Sequence, residues 1–438
     1  MGTKVAKFGG TSVADAGQIR KTAEIIQEDP ERRFVVVSAP GKRFKEDSKI
    51  TDLLYLVKTH LEQNAPYESV FSIVKERFLT LEQELGVDAG IEAALAEIES
   101  DLRKNPSADY IASRGEYLSA RIVAAFLGYD FVDAEGLVCF SSKGRFLSEE
   151  TNEKLGGELA KHKCAVLPGF YGTLPNGNIR TFSRGGSDIT GAVVAQAVNA
   201  DVYENWTDVS GFLMADPRIV KNPKGIDTLS YLELRELSYM GASVLHENAI
   251  YPARQAEIPI HIRNTNAPHD PGTQILSDAP YTDGRIITGI AGSKDFTVIA
   301  IYKNMMSIEL GFIKRILAIL EDYDVSIEHI PSGIDTVSVV MASEQLEGKL
   351  DDIVEDIRKK TQADSVEVFE EMALIATVGS GMAKTPGVSA RLFAALAKKD
   401  INIRMIDQGS SEMNIIIGVE NKDFEDAVRS IYGEFVEG

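Results

Sequence analysis

Two motifs with paired glycines combine residue types that could hold a phosphate. The first, residues 7–12, reads Lys-Phe-Gly-Gly-Thr-Ser and follows an apolar run. Gly9 and Gly10 would let backbone N–H groups approach a phosphate without a Cβ clash, and Lys7 would add a compact positive charge. The spacing is not that of the Gly-x-x-x-x-Gly-Lys-[Ser/Thr] P-loop. Taken alone, the motif is equally typical of an ordinary glycine turn.

The second motif, residues 183–188, reads Ser-Arg-Gly-Gly-Ser-Asp and opens a helical pattern. Adjacent glycines at a helix N-terminus favour anion binding. Arg184 could clamp a carboxylate with two parallel hydrogen bonds, and Asp188 could hold the Lys7 ammonium in place. A plain N-cap followed by an acidic first turn is the alternative, but it does not explain both glycines together with the arginine.

Three further sets of residues are weaker signals. Thr207 and Asp208 end an apolar strand pattern, and Arg218 closes the motif Ala-Asp-Pro-Arg. These residue types suit ribose and phosphate contacts, although a surface turn contains them too. Glu116, in the motif Arg-Gly-Glu at 114–116, is expected at the start of a helix. It could pair with a substrate ammonium or simply be a carboxylate favoured by the helix dipole.

Short apolar strands alternate with longer helices over the first 280 residues. The strand patterns cover 5–8, 34–38, 165–168 and 202–206, and the helical patterns cover 16–27, 51–63, 116–127, 188–198 and 231–239. This alternation predicts an α/β domain whose mostly parallel sheet is sandwiched by helices. Ligands of such sheets lie beyond the carboxyl ends of the strands, and every motif above is at or near such an end. Ser38 ends the second strand and Thr51 opens a helix, but neither indicates a role on its own.

An internal repeat follows an apparent linker at 278–284. Gly311 and Gly387 are 76 residues apart, as are Asp324 and Asp400. The same offset aligns residues 298–300 with 374–376. Each copy reads strand, helix, strand, strand, helix, which predicts two ferredoxin-like βαββαβ units.

The second copy lacks its fourth strand. The apolar run 286–290, just before the first copy, could fill that edge, since an open edge invites pairing. The first unit would then be inserted within the second; the alternative is that this run is only a connector. The predicted bounds are 1–280 for the first domain and 285–438 for the repeats, at about 295–370 and 371–438.

Composition and charge exclude several classes of protein. The 438 residues carry a net charge of −20, which argues against broad binding to nucleic acid or to anionic membranes. No apolar run is long enough to span a bilayer, and the first residues do not form a signal peptide. Cys139 and Cys164 lie in unrelated segments, which disfavours a disulfide framework or a structural zinc site. A cytoplasmic protein is expected.

Six motifs occur in an order that resembles the aspartokinases of the amino-acid kinase superfamily. They lie at residues 7–12, 36–39, 114–116, 183–188, 206–209 and 215–218. Several motifs in register are far more specific than any one of them, and the similarity covers essentially the whole chain. The tail resembles the paired ACT domains of those enzymes. Residues 38–43 and 329–335 resemble a subgroup of bacterial monofunctional members.

This resemblance implies that ATP and L-aspartate give ADP and 4-phospho-L-aspartate, the first step of lysine, threonine and methionine biosynthesis. Mg²⁺ would be carried on the phosphates. An ionised carboxylate needs no general base, so catalysis would depend on positioning and electrostatic stabilisation. Lys7 would stabilise the transferring phosphoryl group, and Asp188 would orient Lys7. The other implied contacts are to the aspartate α-carboxylate (Arg184), its ammonium (Glu116), the aspartate pocket (Ser38, Thr51 and Ser187) and ATP (Gly9, Gly10, Thr207, Asp208, Arg218 and Ser243).

Two positions depart from the commoner family pattern, and both bear on the nucleotide. Ser243 stands where many members carry a nucleotide-binding lysine, and Leu213 stands where many have a tyrosine near the nucleotide. Lys221 or Lys224 is a candidate for replacing the missing charge.

The resemblance also implies regulation and assembly. Paired ACT domains bind end-product amino acids and pack into dimers, so a homodimer or a dimer of dimers is expected. Lysine is the first candidate effector and threonine the second, alone or together. The implied effector contacts are Met306, Gly311, Phe312, Glu328 and Ser332. Gly311 could let a first-turn backbone approach a ligand carboxylate, or it could be a plain helix-start glycine.

Two other functions fit parts of the sequence. One is a kinase of the same superfamily that acts on glutamate, acetylglutamate or a nucleotide. The repeat and the combination of Arg184 with Glu116 favour a regulated enzyme that acts on an α-amino acid. The other is a non-catalytic amino-acid sensor with a decayed kinase domain, which the two departures favour and the retained Lys7, Asp188 and Arg184 disfavour.

Overall fold

The computed structural model describes residues 2–183, 185–242, 245, 247–277 and 284–437. The chain divides into two compact units. The first comprises Met1–Phe212, Gly225–Tyr231 and Ser243–Ala279, and the second comprises Leu213–Lys224, Leu232–Ala242 and Pro280–Gly438. Two segments of the predicted first domain therefore group with the second unit. Apart from Gly284, the predicted linker lies outside the described residues.

The first unit is built on an eight-stranded sheet in the order β3-β4-β2-β1-β7-β9-β10-β8. All neighbouring strands are parallel except β9 and β10. This confirms the predicted α/β class with a mostly parallel sheet. The strands are β1 (Lys4–Phe8), β2 (Arg32–Val37), β3 (Asp130–Phe131), β4 (Ala165–Pro168), β7 (Val202–Thr207), β8 (Thr228–Ser230), β9 (Ile260–Asn264) and β10 (Thr273–Leu276), with a separate hairpin of β5 (Tyr171–Thr173) and β6 (Ile179–Thr181).

Helices cover this sheet, and α5 and α7 pack directly against its strands. The helices up to the end of the first unit are α1 (Ala16–Glu28), α2 (Ile50–Glu62), α3 (Glu68–Leu85), α4 (Ile91–Leu102), α5 (Ala108–Leu127), α6 (Ser148–Leu159), α7 (Gly186–Ala197), α8 (Tyr231–Tyr239) and α9 (Tyr251–Gln255). Most of α8 belongs to the second unit. Among the described residues, no helix is both long and apolar enough to cross a membrane.

The prediction that a helix starts at Glu116 is wrong. Helix α5 begins eight residues earlier, at Ala108, where Ser107 caps it by accepting a hydrogen bond from the Tyr110 N–H at 3.1 Å. Arg114 and Glu116 are buried in the middle of this helix. A helix-dipole carboxylate at a first turn therefore does not explain Glu116.

The second unit contains a five-stranded antiparallel sheet in the order β12-β11-β13-β15-β14. Its strands are β11 (Gly289–Tyr302), β12 (Thr336–Ala342), β13 (Ser365–Val378), β14 (Met405–Asp407) and β15 (Asn414–Glu420). Its helices are α10 (Phe312–Asp322), α11 (Leu350–Thr361), α12 (Val388–Ala397) and α13 (Phe424–Tyr432). The two copies of the repeat thus have the predicted order of elements, although the second strand of the first copy is reduced to isolated bridges.

Strands β11 and β13 are long because each serves both copies of the repeat. Residues 289–293 of β11 pair with 374–378 of β13, and residues 298–302 pair with 365–369. The register shifts between these two stretches, where Asp295 and Glu371 adopt positive φ angles of 67° and 58°. Residues 289–293 occupy the edge that we expected 286–290 to fill, so the paired run starts three positions later than expected.

Candidate active site

The carboxyl ends of three parallel strands meet at one edge of the first unit's sheet. In the sheet register, Phe8 at the end of β1 pairs with Val37 of β2 and with Trp206 of β7. Backbone hydrogen bonds join the residues that follow. Gly9 N–H donates to the Trp206 carbonyl at 3.1 Å, and Ser38 N–H donates to the Phe8 carbonyl at 3.1 Å. The first glycine motif therefore lies at the edge where parallel sheets bind their ligands.

Lys7 and Asp188 form a buried ion pair at this edge. Lys7 is 6% exposed, and its Nζ is 2.5 Å from Oδ1 of Asp188 in the first turn of α7. The same oxygen accepts a hydrogen bond from Asn205 Nδ2 at 2.8 Å. Asn205 is the β7 partner of Lys7 in the sheet register. Because a buried ammonium is unfavourable without a counter-charge, this arrangement holds one cation at the strand end.

Position 10 needs a glycine because the loop after β1 and the loop after β2 are in close backbone contact there. Gly41 N–H donates to the Gly10 carbonyl at 2.8 Å. A Cβ at Gly10 would lie 2.8 Å from the Ala39 carbonyl oxygen, which leaves no room for a side chain. Around Gly9, by contrast, the nearest atoms to a Cβ would be 3.6 Å away, and one of them is Lys7 Nζ. The room next to the Lys7 ammonium is therefore beside Gly9 and not beside Gly10.

The second glycine motif forms the beginning of α7. Gly185 has a φ of 60°, in the left-handed region that favours glycine. A Cβ at Gly186, the first helical residue, would collide with the ring of Phe170. Ser187 is buried in the same turn. Arg184 lies outside the described residues, so its role remains a prediction.

Glu116 is a buried carboxyl with incomplete hydrogen bonding. The nearby Ala39 N–H favours the ionised form of this carboxyl, while Oε2 has no hydrogen-bond partner among the described residues. Burial raises the pKa of Glu116 from an ordinary value of 4.5 to about 8. The Arg114 guanidinium instead lies over the rings of Tyr110 and Tyr117, 4.5 and 4.8 Å from their centres. A carboxyl with an unused oxygen suits the ammonium group of a ligand.

The other predicted contacts of the first unit lie on either side of β1. Ser38 follows β2 and is half-buried, as is Thr51, the second residue of α2. At the end of β7, Thr207 is half-buried and Asp208 is exposed, with Thr207 Oγ1 3.3 Å from Asp208 Oδ1. The structure places these side chains at strand and helix ends, and their contacts with ligands remain predictions.

Arg218 and Ser243, two predicted nucleotide contacts, are not part of the described first unit. Arg218 belongs to the second unit, where its side chain is 87% exposed and pairs with Asp216 Oδ2 at 2.6 Å. Ser243 lies outside the described residues. Lys224, a candidate for the missing charge, donates from Nζ to the Val436 carbonyl at 2.9 Å. The nucleotide contacts at these positions remain predictions.

The predicted effector residues lie in the second unit, and Met306, Gly311 and Phe312 are at or just before the start of α10. Gly311 caps this helix with a φ of 77°. Met306 and Phe312 belong to the buried core of the first repeat, so a ligand would have to meet their backbone groups. Glu328 accepts a hydrogen bond from a tyrosine of α8, and Ser332 is exposed.

Two buried polar residues near the strand ends were missed in the sequence. Asn205 contacts Asp188 from 17 positions away. Arg77 on α3 is 4% exposed and donates to the carbonyls of Ala14 and Gly41. Each of the two interrupts the apolar pattern of its own strand or helix, and that interruption was the available signal.

Known sequence families match both parts of the chain. The sequence model of the amino acid kinase family matches residues 2–264, and an ACT domain model matches residues 375–435. Aspartokinase 3 of Bacillus subtilis (strain 168) is 38% identical, over 99% of this chain and 99% of its own length.

Solved structures share the same fold. Clostridium acetobutylicum aspartate kinase superposes with a TM-score of 0.93 at 51% identity, covering 99% of this chain and 100% of that one. E. coli aspartokinase III in complex with aspartate and ADP superposes with a TM-score of 0.76 at 25% identity, covering 99% of each chain. The same E. coli enzyme in complex with lysine and aspartate superposes with a TM-score of 0.77 at 25% identity, again covering 99% of each chain.

Proposed function

Because the chain belongs to the aspartokinase family, we propose that the strand ends of its first unit transfer a phosphoryl group from ATP to the side-chain carboxylate of L-aspartate. The predicted family and enzyme class are confirmed, and ATP is proposed as the phosphoryl donor because a relative was solved with ADP. The observation that carries the assignment of roles is the buried pair of Lys7 and Asp188 beside Gly9.

In this proposal Lys7 Nζ stabilises negative charge on the transferring phosphoryl group. The attacking carboxylate is already ionised at neutral pH, so the site has to bring two anions together rather than remove a proton. Asp188, itself held by Asn205, takes one side of the ammonium and leaves its remaining donors for ligand oxygens. With a net charge of −20 the molecule does not attract anions at long range, so this local cation is essential.

We assign the ammonium group of the aspartate substrate to Glu116. The unused Oε2 and the raised pKa indicate that the protein alone, including the nearby Arg114, does not fully supply the positive charge that the ionised carboxylate needs. A substrate ammonium would supply that charge and lower the pKa of Glu116. Arg184 is proposed to bind the α-carboxylate, with Ser38, Thr51 and Ser187 lining the pocket. E. coli aspartokinase III, solved with aspartate and ADP, is a relative that binds this pair of ligands.

The proposed nucleotide site combines the first glycine turn with the end of β7. Its proposed contacts are Gly9, Gly10, Thr207, Asp208, Arg218 and Ser243. Within the described part of the chain, no group of three or more histidine, cysteine, aspartate or glutamate side chains is arranged to hold a metal ion. Mg²⁺ is proposed to be carried on the phosphates, where it would supply positive charge at the transferred group.

The second unit is proposed to sense an end-product amino acid. An E. coli relative is named lysine-sensitive aspartokinase 3, and E. coli aspartokinase III was solved with lysine. Lysine is therefore the first candidate effector here and threonine the second. The proposed contacts are Met306, Gly311, Phe312, Glu328 and Ser332. Inhibition requires that the effector bind an inactive arrangement better than the active one. The proposed assembly is a homodimer or a dimer of dimers through the repeats, and the proposed location is the cytoplasm.

A coupled ADP-release assay with aspartate, with glutamate and without an acceptor tests the reaction. We expect ADP release that depends on aspartate, and hydroxylamine should trap the acyl phosphate as a hydroxamate. ADP release with glutamate but not with aspartate would mean that the phosphoryl acceptor is glutamate and would reject aspartate as the substrate. Release with neither would favour the non-catalytic sensor. Titrating lysine and threonine into the same assay tests the effector, and unchanged activity with both would reject that part of the proposal.

A further inference from the structure

One charged residue lies on the apolar face of α3. The other buried residues of that helix are Val70, Phe71, Val74, Phe78, Leu81 and Leu85. Arg77 shares their face and is 4% exposed. An arginine in such a position is unfavourable unless its donors are used, so its partners indicate why it is there.

The Arg77 guanidinium binds three backbone carbonyls. Its Nη1 donates to Ser48 at 2.9 Å, and its Nη2 donates to Ala14 at 3.2 Å and also to Gly41. Asp47 Oδ2, 3.0 Å from Nη1, supplies a counter-charge. Ala14 directly follows the first glycine turn, and Gly41 lies in the segment after β2. A single planar group with several fixed donors therefore joins two loops that follow different strands.

Both of these loops carry proposed site groups. Gly41 is in direct contact with Gly10, because its N–H donates to the Gly10 carbonyl at 2.8 Å. The segment that ends at Gly41 also contains Ala39, which packs against α5 next to Glu116, since a Cβ at Gly115 would lie 2.8 Å from Ala39 Cβ. A displacement of Gly41 would therefore shift both the glycine turn proposed to hold the phosphates and the segment beside Glu116, which is proposed to bind aspartate.

We propose that Arg77 is a positioning residue for phosphoryl transfer. Its guanidinium sets the spacing between the glycine turn beside Lys7 and the segment beside Glu116. The inference rests on the proposed function, which assigns ATP to the first of these segments and aspartate to the second. Arg77 acts through the backbone of Ala14 and Gly41 and touches neither substrate. Misplacing reacting groups by about 1 Å can slow a reaction by about 10²-fold, so a small shift at this junction is enough to matter.

Three variants of the full chain test this role. Arg77→Met removes every donor, and Arg77→Lys keeps the charge but reaches fewer carbonyls. Arg121→Met is the matched control, since Arg121 on α5 also ties a loop carbonyl, that of Ala89 at 3.0 Å, but not one of the two site loops. The measurements are kcat, both KM values, the melting temperature, and the ratio of ADP released to hydroxamate trapped.

We expect Arg77→Met to lower kcat about 10- to 100-fold, with much smaller changes in either KM. The ratio of ADP to hydroxamate should rise, because the acceptor no longer lies in line with the phosphoryl group and water competes. Arg77→Lys should fall between the wild type and Arg77→Met. Arg121→Met should leave both kcat and the ratio unchanged.

A wild-type kcat in Arg77→Met would overturn the inference. So would parallel losses of kcat and melting temperature in Arg77→Met and Arg121→Met with an unchanged ratio, since that result describes a purely structural arginine. If Arg77→Met does not fold, Arg77→Lys decides, because a normal kcat and ratio in that variant also reject the role. A wild type without aspartate-dependent ADP release would reject the proposed function instead, which keeps the two failures distinct.

Discussion

The two sides of the strand-end site differ in how far the protein satisfies their carboxylates. On the β7 side, Asp188 Oδ1 forms an ion pair with Lys7 Nζ at 2.5 Å and accepts a hydrogen bond from Asn205 Nδ2 at 2.8 Å. On the α5 side, Glu116 is buried and its Oε2 has no hydrogen-bond partner among the described residues. Burial raises the pKa of Glu116 to about 8.

This difference separates a group that holds the site together from a group that receives a ligand. A carboxylate that already holds a cation and a hydrogen-bond donor of the chain keeps them in place before any substrate arrives, so Lys7 is preorganised. A buried carboxyl with an unused oxygen keeps an uncompensated desolvation penalty that a ligand cation can remove. We therefore expect changes at Lys7 to act mainly on kcat and changes at Glu116 to act mainly on aspartate binding.

The largest expected effect is on kcat, from removing Lys7 on the β7 side of the site. Lys7→Ala removes the cation that stabilises the transferring group, and kcat should fall by about 10²- to 10³-fold, as for loss of a transition-state donor. The coupled ADP-release assay at saturating substrates measures it. Lys4→Ala is the control, because Lys4 lies on the same strand and pairs with Asp29 at 2.7 Å. Near-normal kcat in Lys7→Ala would remove Lys7 from the mechanism.

A smaller effect, on KM for aspartate, is expected from changing Glu116 on the α5 side of the site. Glu116→Gln removes the charge that pairs with the substrate ammonium, and charged hydrogen bonds are worth about 1.5–3 kcal/mol, or roughly 10- to 100-fold in KM for aspartate. KM for ATP and kcat should change much less. Initial rates over an aspartate titration measure this, with the exposed Glu92→Gln as the control. A large fall in kcat at unchanged KM would contradict the division of roles.

The same residue should make stability depend on pH. Between the ordinary pKa of 4.5 and the folded pKa of about 8, the folded chain keeps a proton on Glu116 that the unfolded chain releases. This contribution to stability is present below pH 4.5 and is lost as the pH rises through 8. Without aspartate, the wild type should lose about 2 kcal/mol relative to Glu116→Gln between pH 6 and pH 8. Urea unfolding of both proteins at the two pH values measures the difference. Parallel pH dependences of the two proteins would mean that Glu116 is already ionised.

The smallest effect is expected from Asn205. Asn205→Ala leaves Lys7 and Asp188 in contact but removes one donor from Asp188, which should weaken their alignment by about 1 kcal/mol and lower kcat roughly fivefold. The coupled ADP-release assay measures kcat, and Asn178→Ala in an exposed turn is the control. If kcat is unchanged while stability falls, Asn205 supports only the fold.

Much of the architecture could be predicted because its signals are local. Apolar strand runs alternate with helices, and the motifs follow the strands, so Lys7 and the first glycine turn were expected at one edge of a parallel sheet. The offset of 76 residues revealed the two repeats directly. The start of α5 was misplaced because buried polar residues at 114–116 resemble a helix beginning. Helices α3 and α4 were not predicted at all.

By itself, the sequence determined the fold class, the repeat and the residue types available for chemistry, since periodicity and spacing are properties of neighbours along the chain. Tertiary structure decided how each polar group is used. Arg77 meets Gly41 and Ala14 across 36 and 63 positions, and these contacts form only when the helices fold over the loops. The pKa of Glu116 likewise depends on burial among segments that are distant in the chain. Desolvation and hydrogen-bond completion depend on everything that surrounds a group, and no local pattern records them.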